Sequence, residues 1–190
     1  MVSNPERRIA LLDAAIETLA DEGARGLTFR MVDGRAAVPI GTTSNYFASR
    51  DDLLTQVAAH LYVRFAPDPD ELDRAAAAST VDELIMVMQG VVARLIERRS
   101  VYLAMLELRL EATRRPALQE MFTERVRDDL AANVAGHAAS GAPGDRNTVI
   151  VLYVALAGLI IEQLTLPGVL ADEGSTDDLV ALVVRSVAGD

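Results

Sequence analysis

The segment Pro39-Ile40-Gly41-Thr42-Thr43-Ser44-Asn45-Tyr46-Phe47 carries no charge and sets hydroxyl, amide and phenol groups side by side. Small donors and acceptors on an exposed turn can read base edges, with charge needed only at the flanks for phosphates. Pro39 and Ile40 open the segment, and Gly41 permits close backbone approach. Thr42, Ser44 and Asn45 supply reading groups, and Tyr46 offers a phenol to a phosphate. Arg50, and before the segment Thr28 and Arg30, stand at helix starts, where backbone N–H groups also favour an anion. Taken alone, the segment reads equally as a polar connection between helices.

Other chemistry is thinly represented. The chain has no Cys, which excludes disulfides, thiolate metal sites and Cys nucleophiles. Its two His are His60 and His137, and Val57 and Val134 stand three residues before them, so the Glu-x-x-His pattern of di-iron bundles is missing. No H-E-x-x-H, P-loop or G-x-S-x-G motif occurs. No catalytic residue, metal ligand or cofactor is expected, and the chain is not read as an enzyme.

The elements that must position the segment are helical. Asn4-Pro5 starts a helix as cap and first residue. Ile9, Leu12, Ile16 and Leu19 form its stripe, and Gly23 ends it. Thr28 caps a short helix over residues 29–35. Pro39 opens a third that runs to about Asn45. Ser49 and Asp52 cap a fourth, striped by Leu53, Leu54, Val57, Ala58, Leu61, Tyr62 and Phe65. Pro67 and Pro69 break the chain. Further helices are expected over 80–98, 101–113, 116–139, 145–166 and 177–187. The fold class is therefore all-α, with about nine helices. A three-helix helix-turn-helix head over residues 1–48 precedes a larger helical bundle for ligand binding and dimerisation over 49–190.

Two short helices joined by a tight turn, the second carrying the polar segment, form a helix-turn-helix candidate. From about Arg8 to Leu54 the chain resembles the DNA-binding domain of the TetR family of bacterial repressors. The matching residues are Ala14-Ala15, Gly23, Leu27-Thr28, Val32, Ala36, Val38, Gly41-Thr42, Tyr46-Phe47, Ser49-Arg50 and Leu53-Leu54, in register without gaps. The resemblance implies a regulator that binds double-stranded DNA. The family usually has Gly where Ala37 stands, so the turn is expected to form without a positive φ. It usually has Tyr where Ser44 stands, which leaves a smaller hydroxyl, and often Lys where Arg50 stands. It has a small residue where Asp33 stands, and that negative charge counts against DNA affinity.

Charge distribution agrees with a DNA-facing N-terminal end. Residues 1–50 carry six Arg and six acidic residues, so the whole net charge of −10 lies beyond them. All 18 basic residues are Arg.

Residues 145–166 are apolar almost all round, so that helix needs cover on most sides. It serves either as a central core helix or as a subunit contact. The resemblance implies that the last two helices pair with their copies in a homodimer, through Val151, Val154, Ala155, Gly158, Leu159, Glu162, Leu179, Leu182 and Val183. Four of the six Met, at 86, 88, 105 and 121, fall in helices 80–139. They fit core packing, or an adaptable cavity lined by Met86, Met88, Met105, Leu106, Met121, Phe122 and Tyr153, with Arg109 among the polar residues able to anchor a ligand. In the TetR family such a cavity holds a small inducer that moves the fourth helix and spreads the DNA-reading heads.

The longest uncharged apolar run, 147–161, is about 15 residues and falls short of the ~20 needed to span a bilayer. With no apolar leader at the N-terminus, a soluble, cytoplasmic protein without membrane partners is expected. Three functions stay open: a repressor bound to a palindromic operator and released by a small apolar effector; a helical ligand- or partner-binding module with weak or lost DNA binding; and an all-α enzyme.

Overall fold

A computed structural model describes residues 4–189. Among the described residues there are nine α-helices and no strand: α1 (Pro5–Gly26), α2 (Phe29–Arg35), α3 (Arg50–Phe65), α4 (Pro69–Ala77), α5 (Val81–Glu97), α6 (Arg99–Ala112), α7 (Pro116–Ser140), α8 (Arg146–Thr165) and α9 (Thr176–Ala188). They are not the nine expected from sequence. The third expected helix is only a 3-10 turn, Thr43–Asn45. The supposed break at Pro67–Pro69 instead starts α4, where Asp68 and Glu71 form a capping box with Pro69 in the first turn.

The helices form two compact units. One unit comprises the chain up to Ala66 together with Arg98–Thr123; the other comprises Pro67–Glu97 and the chain from Glu124 onward. The first unit holds the polar segment. Its core joins Leu11, Ala15, Ile16 and Leu19 of α1 to Leu53, Leu54, Val57 and Leu61 of α3, and to Ala104 and Leu108 of α6. Burying each Leu or Ile contributes about 1.5–3 kcal/mol. Ile9, expected in the stripe, is 49% exposed, and Leu11 replaces it as the buried residue of that turn. Phe122 packs against Tyr62 at 6.3 Å between ring centroids, and Phe65 meets Tyr102 edge-on at 6.0 Å.

In α1 the helix breaks at Gly23, as expected, with φ 68° and ψ 178°. The Glu107 carboxylate of α6 accepts the Ala24 N–H at 2.9 Å. A Cβ at Gly23 would sit 3.2 Å from that same carboxylate, so both backbone and space select glycine there.

In the second unit α5, α8 and α9 pack on one another, and α4 lies on α5. The half-buried Arg94–Glu71 pair, 2.9 Å long, fastens α4 to α5. Thr80–Glu83, Asp145–Thr148 and Ser175–Asp178 cap α5, α8 and α9 by reciprocal bonds. Helix α8 turns Val149, Leu152, Leu156, Ile160 and Leu164 inward. At 20 residues it is long and apolar enough to cross a bilayer, a property the uncharged run alone lacks. Its other face leaves Val151 45% and Val154 62% exposed, and Leu182 of α9 is 62% exposed.

Candidate nucleic-acid interface

Thr28 caps α2, its hydroxyl oxygen accepting the Met31 N–H at 3.2 Å. After α2 the chain reverses through Ala36 and Ala37. Ala37 takes φ 52°, so the turn does use a positive φ, and an alanine bears the strain that glycine would avoid. The Val38 N–H closes this turn on the Asp33 carbonyl at 3.0 Å.

Asp33 then organises the polar segment. Its carboxylate is 1% exposed. One oxygen accepts the Gly41 N–H at 2.7 Å. The other accepts the Thr43 N–H at 2.7 Å and the Thr43 hydroxyl at 2.5 Å. The Asp33 charge, expected to count against DNA affinity, points inward and accepts three hydrogen bonds. Buried charge persists only when hydrogen-bonded in this way. Gly41 takes φ 91°, which interrupts α-helical bonding and leaves the turn with i→i−3 bonds from Asn45 to Thr42 and from Tyr46 to Thr43. That is why the segment is a 3-10 turn instead of a helix. Thr43, completely buried, is its inner post.

What remains outside is Pro39, Ile40 (76% exposed), Ser44 and Asn45; Gly41, Thr42 and Tyr46 are half-buried. The Thr42 hydroxyl donates to the Pro39 carbonyl at 2.5 Å. The Ser44 hydroxyl and the Asn45 amide both donate to the Gly41 carbonyl, at 2.7 and 3.1 Å. Thr28 and Arg30 are exposed on α2.

Arg50 departs from expectation. Its Nε donates to the Leu27 carbonyl at 3.1 Å and its terminal nitrogen to the Ala24 carbonyl. These carbonyls lie at the C-terminal end of α1, where the helix dipole favours a cation, so a guanidinium is drawn to them. Arg50 therefore braces α1 against α3.

Arg8 closes the other side, a role the sequence did not suggest. It lies over the Phe47 ring at 5.1 Å, donates to the Tyr46 carbonyl at 3.3 Å and bonds Gln56. Gln56 in turn donates to Asp52, which also accepts the Ala48 N–H. The Gln56 bond, then the Ala48 bond, hold the Asp52 carboxyl below its ordinary pKa. Arg8 has a charged side chain nearly forty residues upstream, and only the fold brings it here.

The residues expected at an effector site are divided between the units. Phe122 is buried in the core of the first, where Met105 and Met121 also pack; Leu106 is half-buried and Arg109 exposed. In the second, Met88 is half-buried, while Met86 is 62% and Tyr153 37% exposed. Phe122 faces Tyr62, so its ring completes packing. Glu107 and Glu111, two residues to either side of Arg109, are engaged with Ala24 and with Arg114 and Arg115. Of the dimer candidates, Val151, Val154, Gly158 and Leu182 are exposed; Ala155, Glu162, Leu179 and Val183 are half-buried. Leu159 is 8% exposed and belongs to its own protomer's packing.

Residues 11–57 match the family model "Bacterial regulatory proteins, tetR family", and residues 79–189 match "Tetracyclin repressor-like, C-terminal domain". The HTH-type transcriptional regulator BetI of Paraburkholderia phytofirmans is 32% identical over 82 residues, a match that spans 43% of this chain and 42% of that relative's length. A TetR-family protein of Streptomyces coelicolor A3 superposes with TM-score 0.70 at 29% identity, covering 98% of this chain and all of that one. The multidrug binding protein EbrR, complexed with ethidium, superposes with TM-score 0.64 at 28% identity over 97% of this chain and 99% of its own. With both its halves matched, the chain belongs to the TetR family of transcriptional regulators.

Proposed function

We propose that the protein is a repressor that binds a palindromic double-stranded DNA operator as a homodimer in the cytoplasm, and that a small apolar effector releases it. The observation that carries this reading is the turn 39–46. It is uncharged, exposed at Ile40, Ser44 and Asn45, and moored from beneath by the buried Asp33. Such a turn is preorganised to enter a major groove, with Thr28 and Arg30 beside it for phosphates.

The exposed apolar residues Val151 and Val154 of α8 and Leu182 of α9 support a twofold pairing of α8 and α9 with their copies. The small residue Gly158, also exposed on α8, permits close approach. Two reading turns about 34–36 Å apart would then match two half-sites. EbrR, complexed with ethidium and with malachite green, supports a small-molecule effector for this chain. Such an effector must favour the DNA-incompetent conformation by a differential binding free energy.

Selection of duplexes from random DNA tests the reading. The expected product is an inverted repeat bound by two chains, with affinity falling steeply as salt rises. Val154→Glu should yield monomers by sedimentation and lose operator binding. Absence of any sequence preference at low salt would overturn the repressor reading in favour of a helical binding module.

A further inference from the structure

We infer that the turn 39–46 reads the exocyclic amino groups of adenine and cytosine together with thymine methyls, and not the acceptor edge of guanine. This rests on the operator-binding reading above and specifies its substrate.

The argument starts at Gly41. Its positive φ leaves its carbonyl outside the helical ladder, and the Ser44 hydroxyl and Asn45 amide satisfy that carbonyl. The Thr42 hydroxyl likewise satisfies Pro39. A hydroxyl has one proton. With those protons turned inward, Thr42 and Ser44 present only lone pairs to a ligand. Turning a proton outward would leave the Gly41 carbonyl to Asn45 alone and the Pro39 carbonyl to the Thr42 N–H alone, so each loses one of two bonds. Asn45 keeps its Oδ1 and the second amide hydrogen, an acceptor beside a donor.

In the major groove adenine offers its N6 amino group beside N7, cytosine its N4 amino group, and guanine two acceptors, N7 and O6. Asn45 matches adenine through two bonds. Ser44 and Thr42 match an amino group of either base. A guanine edge would face lone pairs at Thr42 and Ser44. No Arg or Lys lies between residues 36 and 49 to reverse that. The Arg residues nearest in sequence are engaged elsewhere: Arg50 on α1 carbonyls and Arg35 on Asp21 at 2.6 Å. Ile40, 76% exposed beside Pro39, supplies an apolar surface of the kind that meets a thymine methyl.

The test uses the full-length dimer and an operator selected from random DNA. Half-site bases are replaced one at a time and affinity is read by fluorescence anisotropy. Adenine→2-aminopurine moves the amino group out of the major groove. N4-methylcytosine blocks the outward hydrogen, thymine→uracil removes the methyl, and 7-deazaguanine removes N7. At least one amino-group replacement per half-site should weaken binding about tenfold. Uracil should weaken it at a position where Ile40→Ala abolishes the difference. 7-Deazaguanine should be neutral within each core half-site. In Asn45→Ala, the 2-aminopurine penalty should vanish at one position while the other penalties persist, an outcome that general loosening of the turn would not give. Loss of binding on 7-deazaguanine replacement, with both amino-group replacements neutral, would overturn the inference while leaving operator binding intact. Failure to select any sequence would instead overturn the operator reading itself.

Discussion

Removing the buried carboxylate of Asp33 is the most informative perturbation of the reading turn. Asp33→Ala deletes three hydrogen bonds, to the Gly41 N–H, the Thr43 N–H and the Thr43 hydroxyl. Bonds to a charged group contribute about 1.5–3 kcal/mol each when considered singly, but they share one desolvation cost here. Gly41 is half-buried, so water can replace part of its loss. Thr43 is fully buried and cannot be resolvated in place. A net loss of about 2–4 kcal/mol follows, concentrated in residues 39–46. Thr43→Val alone should cost about 1 kcal/mol, since it leaves one carboxylate lone pair unfilled. The double variant replaces a polar contact with an apolar one, so the two losses should fall short of additive by about 1 kcal/mol. Amide hydrogen exchange at Gly41 and Thr43 reports the local effect directly, and urea unfolding reports the global one. Exchange and stability unchanged in Asp33→Ala would refute the claim that this carboxylate holds the turn. Strict additivity in the double variant would refute direct coupling between Asp33 and Thr43.

Ala37→Gly should stabilise the protein: relieving φ 52° returns about 1–2 kcal/mol, and the extra freedom of glycine when unfolded offsets about 0.4–1 kcal/mol. A rise of about 1–4 °C in Tm is expected, and any fall would show the alanine to be unstrained. Arg50→Ala should lower stability by about 1–3 kcal/mol while leaving the salt slope of operator binding unchanged, whereas a slope reduced by about one would place Arg50 on a phosphate. Asp52, Glu83, Glu111 and Asp178 all have carboxyl pKa values lowered in the fold: Asp52 by Gln56 first, Glu83 by the Ser79 N–H and hydroxyl first, Asp178 by the Ser175 hydroxyl first, Glu111 by Arg114 first. Their contribution is present above the ordinary carboxylate range and is lost as pH falls through it, so the urea midpoint should drop below about pH 4.5 and stay flat above about pH 6. A midpoint constant down to pH 3 would contradict those shifts.

Elements signalled by contiguous residues were legible before any coordinates. The stripes of α1 and α3 and the Thr28 and Ser49 caps each depend on neighbours within a few positions. Helix α4 shows the limit of that logic, because a proline that opens a helix carries the same letter as one that breaks a chain. The reading segment itself was visible as an uncharged polar run. Its internal construction was not, since Asp33 finds Gly41 and Thr43 across a turn whose geometry depends on the φ of Ala37. Arg8, Arg50 and Glu107 were less legible still. Their partners are backbone groups or rings 23 to 83 residues away, and no periodic pattern marks a side chain that ends on a distant carbonyl.

Glu107 and Arg115 give the first unit a mechanical character. The former seizes the corner of α1 at Ala24, and the latter, anchored by Glu111, seizes Asp51 in the opening turn of α3. Arg115 itself lies just past the end of α6 at Ala112, in the connection to α7. Through Glu107 and Glu111, α6 therefore holds both flanks of the polar turn at once, like a tool gripped in a two-jawed chuck.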